Sequence, residues 1–393
     1  MSDGFSILCM SRQDWNAGLP TNRQQIMLRA AQRGHRVVFV ESGGHLGRHL
    51  WRLARGPRRR SIARRLFGAE QAADGITVEK AITVAPWGQK FELANRINSR
   101  LTGLRVRRAA RGLDGPRILW LYDPTAFELV GHAGEELTVY DCVDDYAEQV
   151  GPDERRRRFV AGADEEAALR SQVVFATTSG LYERQLARNP ETHLVRNGAD
   201  YAHFSALNGS GVAAEVRTLP APVVGFAGNL TSEKVDFDLL EALARLRPGW
   251  SFVLVGPAAE DARASVERLA GLPNVHALGF RSYDELPGYV AGFSVGVIPY
   301  GANAYTRNCS PLKVFEYLAA GKAVVASGVP ELAGMEPDVT VAHGAEEFIG
   351  AIENALADDG LDAVARRRAL AEQNTWEART ERLLDLIEER LAR

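Results

Sequence analysis

Short apolar runs alternate with stretches of helical periodicity along the first half of the chain. The runs are bounded by glycine and polar turn residues, which is typical of buried strands joined by helices. The predicted strands are Phe5–Met10, Val37–Val40, Ile118–Tyr122, Leu137–Tyr140, Val173–Thr177 and Leu194–Val195. The predicted helices between them are Asn22–Arg33, Glu154–Arg170 and Leu181–Arg188. This alternation predicts a parallel β-sheet covered by helices.

A second series of the same kind begins near Pro222. Its predicted strands are Val223–Ala227, Phe252–Val255, Val275–Ala277, Val295–Ile298 and Val324–Ala326. Its predicted helices are Asp236–Leu246, Ala262–Ala270, Tyr283–Ala291 and Pro311–Ala320. The stretch 205–222 between the two series is rich in Gly, Ser and Pro, which is typical of a linker. We therefore predict an α/β protein with two Rossmann-like domains, residues 1–205 and 206–375.

The C-terminal residues from Asn374 onward predict a long amphipathic helix. Asn374 and Glu377 have the spacing of a capping box, and leucine and isoleucine side chains between 383 and 391 share one stripe. Because such a stripe must be covered, we predict that the helix 376–393 crosses back to the N-terminal domain.

Composition excludes several classes of protein. The chain has 393 residues, of which 46% are hydrophobic and 25% charged, as in soluble globular proteins. No apolar run approaches the ~18 residues of a membrane span, and an acidic residue stands where a secretory signal would be basic. The three cysteines form neither a CxxC pair nor a zinc pattern. We therefore expect a cytoplasmic protein.

The segment from Asn308 to Gly321 carries the clearest candidate chemistry. Ser310 is a suitable N-cap, Pro311 suits the first helical position, and Gly321 is placed to end the helix. The segment follows a predicted strand, so the helix should start at the carboxyl edge of the sheet, where ligands bind. The free N–H groups of a helix start attract phosphate. One turn further, Glu316 is placed to accept hydrogen bonds from ribose hydroxyls. The alternative is an ordinary capped helix with a solvated Lys313 and Glu316.

A second candidate phosphate loop follows the strand Val223–Ala227. Gly228 would let a ligand approach the backbone, and Lys234 could neutralise a diphosphate. The chain contains only five lysines, and two of them, Lys234 and Lys313, fall in these two loops. A plain connecting loop with an exposed lysine is the alternative.

These residues resemble the retaining glycosyltransferases of family 4, which have the GT-B fold of two facing Rossmann-like domains. Four segments carry the resemblance: the GNLTSEKV loop at 228–235, the PLKVFEYLAAGKAVVAS helix at 311–327, RNGAD at 196–200, and RGHRV at 33–37. The segment VYDCVDDYAE at 139–148 is similar to a subgroup of teichuronic-acid and other surface-polysaccharide transferases.

The resemblance implies a metal-independent transferase whose substrate is a UDP- or GDP-type nucleotide sugar, with no further cofactor. It implies catalytic roles for Lys234, Glu316 and Asp144. The donor-binding residues that it implies are Gly18, Gly228, Asn229, Lys234, Gly256, Phe280, Asn308, Cys309, Ser310, Leu312, Lys313 and Glu316. In this set Phe280 would flank the base, and Asn308 to Ser310 would contact the donor sugar. The acceptor stays open between a lipid-linked glycan, a polysaccharide and a secondary metabolite.

Four positions depart from the family pattern. Asn308 stands where the family has the first glutamate of a Glu-x7-Glu motif, and Asn229 replaces an arginine of the donor loop. Asp144 stands near the place of a histidine, and Gly18 remains of a glycine pair. Two alternatives therefore remain open: a GT-B epimerase or phosphorylase, and a non-catalytic sugar-nucleotide-binding protein.

The net charge of −3 hides a strong asymmetry between the two halves. Residues 1–111 carry 21 basic and 7 acidic residues, whereas residues 206–393 carry 17 and 26. Arginines concentrate at 47–68, among Trp, Leu and Phe, and at 95–112. Such segments are typical of proteins that bind anionic membranes from the cytoplasmic side. A solvated arginine-rich surface is the alternative, and we expect no nucleic-acid binding because no motif for it is present.

Overall fold

The computed structural model describes residues 4–11, 13–16, 18–41, 70–81, 83–85, 90–151, 153–206 and 211–393. The chain forms two compact units. The first contains the residues up to Val195 together with Thr380–Arg393, and the second is Arg196–Arg379. The arginine-rich segment 47–68 lies outside the described residues.

The first unit is built on an eight-stranded sheet in the order β3-β4-β2-β1-β5-β6-β7-β8. All its neighbouring strands are parallel except the antiparallel pair β3–β4. The strands are β1 (Ser6–Met10), β2 (Arg36–Glu41), β3 (Glu70–Ala73), β4 (Ile76–Lys80), β5 (Arg117–Leu121), β6 (Leu137–Cys142), β7 (Val173–Ala176) and β8 (Thr192–Leu194). The central strands are continuous apolar runs because helices cover both faces of the sheet.

Helices of the first unit pack on this sheet around a core of aliphatic and aromatic side chains. They are α1 (Asn22–Gln32), α2 (Glu92–Ala109), α3 (Glu154–Arg170) and α4 (Ser179–Leu186). Asp153 and Thr178 cap α3 and α4 by accepting hydrogen bonds from backbone N–H groups of the first turn. The predicted limits of α3 are confirmed, because this cap and the last-turn Arg170 mark both ends in the sequence.

The second unit contains a six-stranded, entirely parallel sheet in the order β11-β10-β9-β12-β13-β14. Its strands are β9 (Val223–Ala227), β10 (Ser251–Val255), β11 (Val275–Gly279), β12 (Val295–Pro299), β13 (Val324–Ser327) and β14 (Val339–Val341). The two parallel sheets predicted from the sequence are therefore both confirmed.

Helices of the second unit connect and flank these strands. They are α5 (Tyr201–Ser205), α6 (Ala214–Arg217), α7 (Phe237–Leu246), α8 (Arg263–Ala270), α9 (Leu286–Ala291), α10 (Lys313–Ala319), α11 (Gly344–Ala357) and α12 (Leu361–Glu372). Helix α13 (Trp376–Leu391) follows them, and its residues from Thr380 onward belong to the first unit.

Two local expectations need correction. The predicted linker 205–222 contains helix α6, and Ala213 donates to the carbonyl of Gly288, so this stretch packs on the second unit. Asn374 does not cap α13, because its side chain donates to the carbonyl of Leu370. The hydroxyl of Thr375 accepts the hydrogen bond from Ala378 N–H instead.

No helix among the described residues is long and apolar enough to cross a membrane.

Candidate functional site

Two glycines form the floor of the candidate donor site at the carboxyl edge of the second sheet. Gly228 follows β9 with φ +149°, and Gly256 follows β10 with φ +138°. Gly228 donates to the carbonyl of Val255, and Gly256 donates to that of Gly279. A Cβ at Gly256 would overlap the carbonyl oxygen of Gly228. Only glycines fit here, because the backbone of Gly228 packs directly against Gly256 and both residues have positive φ.

The ammonium group of Lys313 lies directly over this floor. A Cβ at Gly228 would stand 3.1 Å from Lys313 Nζ. The ammonium donates to the hydroxyl of Tyr300 at 2.8 Å and lies 5.0 Å from the ring centre of Phe226. These contacts fix a positive charge beside the half-buried backbone of Gly228, where it can attract an anion.

Lys234 ends the loop that begins at Gly228. Its backbone N–H donates to the carbonyl of Thr231, and its ammonium lies 5.0 Å from the ring centre of Tyr305. Asn229, in the same loop, is exposed. The structure thus places Lys234, Gly228 and Lys313 on elements that share one edge of the sheet.

Helix α10 begins at Lys313, two residues later than predicted, and Ser310 is not its cap. The reason is a tight first turn, in which Val314 donates to the carbonyl of Pro311 and Phe315 to that of Leu312. In the described part of the chain, the N–H groups of Leu312 and Lys313 have no hydrogen-bond acceptor. The predicted end of the helix is confirmed, because Gly321 follows the C-cap with φ +78°.

Glu316 lies one turn into α10 and is half-buried. Burial is the largest cause that raises the pKa of its carboxyl group to about 7. The positive charge of Lys313 lowers this pKa, and the negative charge of Asp200 raises it. No described side chain or backbone group donates a hydrogen bond to this carboxylate. A partly buried acid without a donor is costly, so a ligand with hydroxyl groups would stabilise it.

The segment Asn308–Ser310 is held by a residue that the sequence analysis did not single out. The amide of Asn197 donates to the carbonyl oxygen of Ser310 at 3.1 Å, and Asn197 is 4% exposed. Cys309 is buried, whereas Asn308 and Ser310 are half-buried. Asn197 belongs to the RNGAD element at 196–200, so the resemblance was the available signal, although it gave no role for the amide.

Phe280 presents an aromatic surface at the end of β11. Its side chain is 52% exposed, and it follows Gly279, which has φ +73°. Arg281 donates to the carbonyl oxygens of Leu278 and Phe280 and thereby fixes this turn. An exposed ring at a sheet edge can stack against a planar base.

In the first unit, two adjacent aspartates after β6 differ in environment. Asp145 is 4% exposed and pairs with Arg184 at 2.6 Å, so it holds the loop in place. Asp144 is half-buried. Burial disfavours the charged form of Arg23, but Tyr146 and Asp144 more than offset this, and the pKa of Arg23 is raised.

Gly18 lies in the loop before α1 with φ +69°, and no atom approaches the position of a Cβ there. Nothing in the described structure assigns this glycine a contact with a donor. Among the described residues, no group of three or more His, Cys, Asp and Glu side chains is arranged to hold a metal ion.

Replacing Gly256 by alanine tests the floor of the site. We expect the Gly256→Ala variant to lose more than about 2 kcal/mol of unfolding free energy, because the methyl group collides with a backbone carbonyl at a positive φ. Gly249→Ala is the matched control, since Gly249 is exposed and a Cβ there meets nothing within 4 Å. Urea unfolding measures both. Equal stability of the two variants would contradict the described packing of the edge.

Comparison with known proteins agrees with this architecture. Residues 221–358, which include β9 to β14, match the family described as Glycosyl transferases group 1. The "Putative teichuronic acid biosynthesis glycosyltransferase TuaH" of Bacillus subtilis (strain 168) is 29% identical over 255 residues. These residues are 61% of this chain and 64% of TuaH, so the match spans less than two thirds of that relative.

Solved structures match nearly the whole chain. HepE from Anabaena in complex with UDP and glucose is 18% identical, covers 97% of this chain and 99% of its own, and has a TM-score of 0.69. Sucrose-phosphate synthase from Thermosynechococcus elongatus is 17% identical, with coverages of 98% and 99% and a TM-score of 0.71. WaaG, a glycosyltransferase involved in lipopolysaccharide biosynthesis, is 16% identical, with coverages of 97% and 99% and a TM-score of 0.65.

At these identities the structures show the fold alone, and they confirm the predicted fold class. The family match covers Gly228 and Gly256, the strands that precede them, and the helix that carries Lys313 and Glu316. The chain is thus a protein of the GT-B fold whose residues 221–358 match the family Glycosyl transferases group 1.

Proposed function

We propose that this protein is a retaining glycosyltransferase of family 4 that transfers a sugar from a nucleoside diphosphate sugar to an acceptor without a metal ion. The observation that carries the proposal is the position of Lys313, whose ammonium lies 3.1 Å from the place of a Cβ at Gly228. A cation fixed at the carboxyl edge of the sheet, beside a glycine loop, is suited to a diphosphate. The family match at residues 221–358 and the relative TuaH support the reaction class.

The diphosphate would bind between the two lysines. Lys313 and Lys234 supply positive charge from α10 and from the loop after β9, and the N–H groups of Leu312 and Lys313 supply donors. Anabaena HepE has been solved in complex with UDP and with UDP-glucose. We propose a ligand of this UDP or GDP type here.

The nucleoside would lie along the same edge. Glu316 accepts hydrogen bonds from the ribose hydroxyls, and Phe280 stacks on the base. Asn308, Cys309 and Ser310 contact the donor sugar, with the carbonyl of Ser310 held by Asn197. Asp144, in the first unit, contacts the donor sugar or the acceptor.

The chemical step breaks the bond between the anomeric carbon and the phosphate oxygen and forms a bond to the acceptor oxygen on the same face. The acceptor proton passes to the leaving phosphate oxygen. Negative charge develops on the diphosphate as it leaves, and Lys313 and Lys234 stabilise that charge in place of a divalent ion. The name of TuaH makes a surface polysaccharide or its lipid-linked precursor the first acceptor to test.

A panel of nucleotide sugars tests the proposal. UDP-glucose, UDP-galactose, UDP-N-acetylglucosamine, GDP-mannose and dTDP-glucose are each added, and the melting temperature and free sugar release are measured. We expect the nucleotide sugars of one base to raise the melting temperature. We also expect one of them to be hydrolysed slowly, so that free sugar is released. No shift with any donor would contradict the proposal.

A non-catalytic sugar-nucleotide-binding protein is the second candidate. Asn308 favours it, since an amide replaces a carboxylate of the family motif next to the proposed sugar site. A raised melting temperature without sugar release or transfer, even with polysaccharide and lipid-linked acceptors, would favour this candidate.

Chelation provides a further prediction. We expect sugar release from the selected donor to be unchanged in EDTA and to gain nothing from added Mg²⁺ or Mn²⁺, because the lysine ammonium groups carry the charge. Rates are measured before and after dialysis against EDTA. A rate that falls with EDTA and returns with Mg²⁺ would contradict the proposed role of the lysines.

A further inference from the structure

Helix α2 exposes three of its large apolar side chains to solvent. Leu93 is 69% exposed, Leu104 is 65% exposed and Ile97 is 41% exposed. Phe91, directly before the helix, is 40% exposed. A single exposed leucine is ordinary, but several on one helix form an apolar surface that requires a partner.

The buried face of α2 has the opposite character. Its buried residues are Asn95, Ser99, Thr102, Gly103 and Val106. The amide of Asn95 donates to the carbonyl of Thr125, and a Cβ at Gly103 would lie 3.0 Å from the carbonyl oxygen of His132. Apart from Val106, the helix therefore packs on its own unit through small and polar groups, and Leu93 and Leu104 are left for another surface.

Arginines share the exposed face. At 100° per residue, Leu93, Ile97, Arg100, Leu104, Arg107 and Arg108 fall within about a third of the helix circumference. We name these six residues the α2 outer face. Arg100, Arg107 and Arg108 are exposed and form no ion pair with any described residue. The outer face thus combines apolar side chains with unneutralised positive charge.

We propose that the α2 outer face docks on the surface of an anionic lipid bilayer. The leucine and isoleucine side chains enter the boundary between headgroups and acyl chains, and the guanidinium groups bind lipid phosphates. The helix lies parallel to the membrane plane, because it is too polar to cross it. The inference does not depend on the proposed transfer reaction, since it uses no residue of the donor site.

The positive charge of the α2 outer face favours an anionic bilayer over a second copy of the chain as its partner. A second copy of the chain would have to bring the same arginines together, and like charges repel. Within α2 the acidic residue is Glu92, at the N-terminal end, whereas Arg107 and Arg108 lie in the last turn. An anionic bilayer satisfies both the apolar and the basic components of the face.

Vesicle sedimentation of the full chain, without any nucleotide, tests the proposal. Vesicles of 70% POPC and 30% POPG are compared with pure POPC. We expect the wild-type protein to bind the anionic vesicles, and the Leu93→Ser/Leu104→Ser variant to bind at least about tenfold more weakly. Arg100→Glu/Arg107→Glu should show the same loss. Leu361→Ser is the matched control, since Leu361 is 88% exposed on α12 of the second unit.

Circular dichroism and melting curves confirm that each variant is folded, which is expected because the substituted side chains are exposed. Vesicle binding that survives both double substitutions would overturn the proposal, and so would a wild-type protein that does not bind anionic vesicles. Light scattering supplies a third outcome. A dimer that dissociates in the Leu93→Ser/Leu104→Ser variant would assign the face to a second copy instead.

Discussion

Replacing Lys313 by alanine should lower kcat/KM for the selected donor by at least about 100-fold, or ~3 kcal/mol. The side chain places its charge above Gly228, and it is held there by Tyr300 and Phe226. The loss should appear mainly in kcat, because charge on the leaving diphosphate is greatest in the transition state. Release of free sugar and of nucleoside diphosphate, followed by mass spectrometry, provides the measurement.

Two further variants separate this role from a structural one. Lys90→Ala removes a lysine of the first unit that pairs with Asp153, and we expect it to leave the rate unchanged. Tyr300→Phe removes only the hydroxyl that receives the Lys313 hydrogen bond and should have a much smaller effect than Lys313→Ala. If folded Lys313→Ala protein retained a rate close to that of the wild type, the assignment of the diphosphate site would be wrong.

The fold could be predicted from local sequence signals where those signals are strong. Strands β9 and β12 are uninterrupted apolar runs, and helix α3 has a capping aspartate at its start. Strands β3, β4 and β14 were missed because they lack such a run. Residues Glu70–Ala73 are polar or small because they lie at the margin of the sheet, and the three residues of β14 are too few to show a period.

The candidate site could be predicted only in part, because it depends on contacts between distant segments. Gly228 and Lys313 were each identified from their own loop, but the sequence cannot show that the ammonium of one lies over the backbone of the other. The bond from Asn197 to Ser310 joins residues 113 positions apart. Asp144 was singled out from the sequence without its neighbour, and the structure adds that Asp145 is buried and paired with Arg184.

The sequence also could not show which face of helix α2 is buried. Its arginines were recognised as a cluster, and a period of 3.6 residues would normally assign the leucines to the core. The structure places Gly103 and Ser99 against the core instead, since the close approach to the carbonyl of His132 leaves no room for a larger side chain. Which face of an amphipathic helix is buried therefore depended on neighbours that are distant in sequence.

Glu316 should make both stability and donor binding depend on pH near neutrality. Its pKa is about 7 in the folded protein and 4.5 when unperturbed, so the folded state holds an extra proton between these values. The free energy of unfolding should therefore fall as pH rises from about 4.5 to 7, by no more than about 3 kcal/mol, and then level off. The Glu316→Gln variant should lack this contribution.

Binding of the donor should follow the opposite trend. The ionised carboxylate accepts hydrogen bonds from ribose hydroxyls more strongly than the protonated acid, so affinity should rise about tenfold between pH 6 and pH 8. Calorimetry with the nucleotide sugar selected by melting is suitable, because its diphosphate does not titrate in this range. Glu316→Gln should bind weakly at pH 8 without the pH dependence, whereas the exposed Glu346→Gln control should behave as the wild type. The 2′-deoxyribose analogue should weaken the pH dependence in the wild type. If affinity for the natural donor were independent of pH and unaffected by Glu316→Gln, this carboxylate would not be the ribose ligand, even if Lys313 still bound the diphosphate.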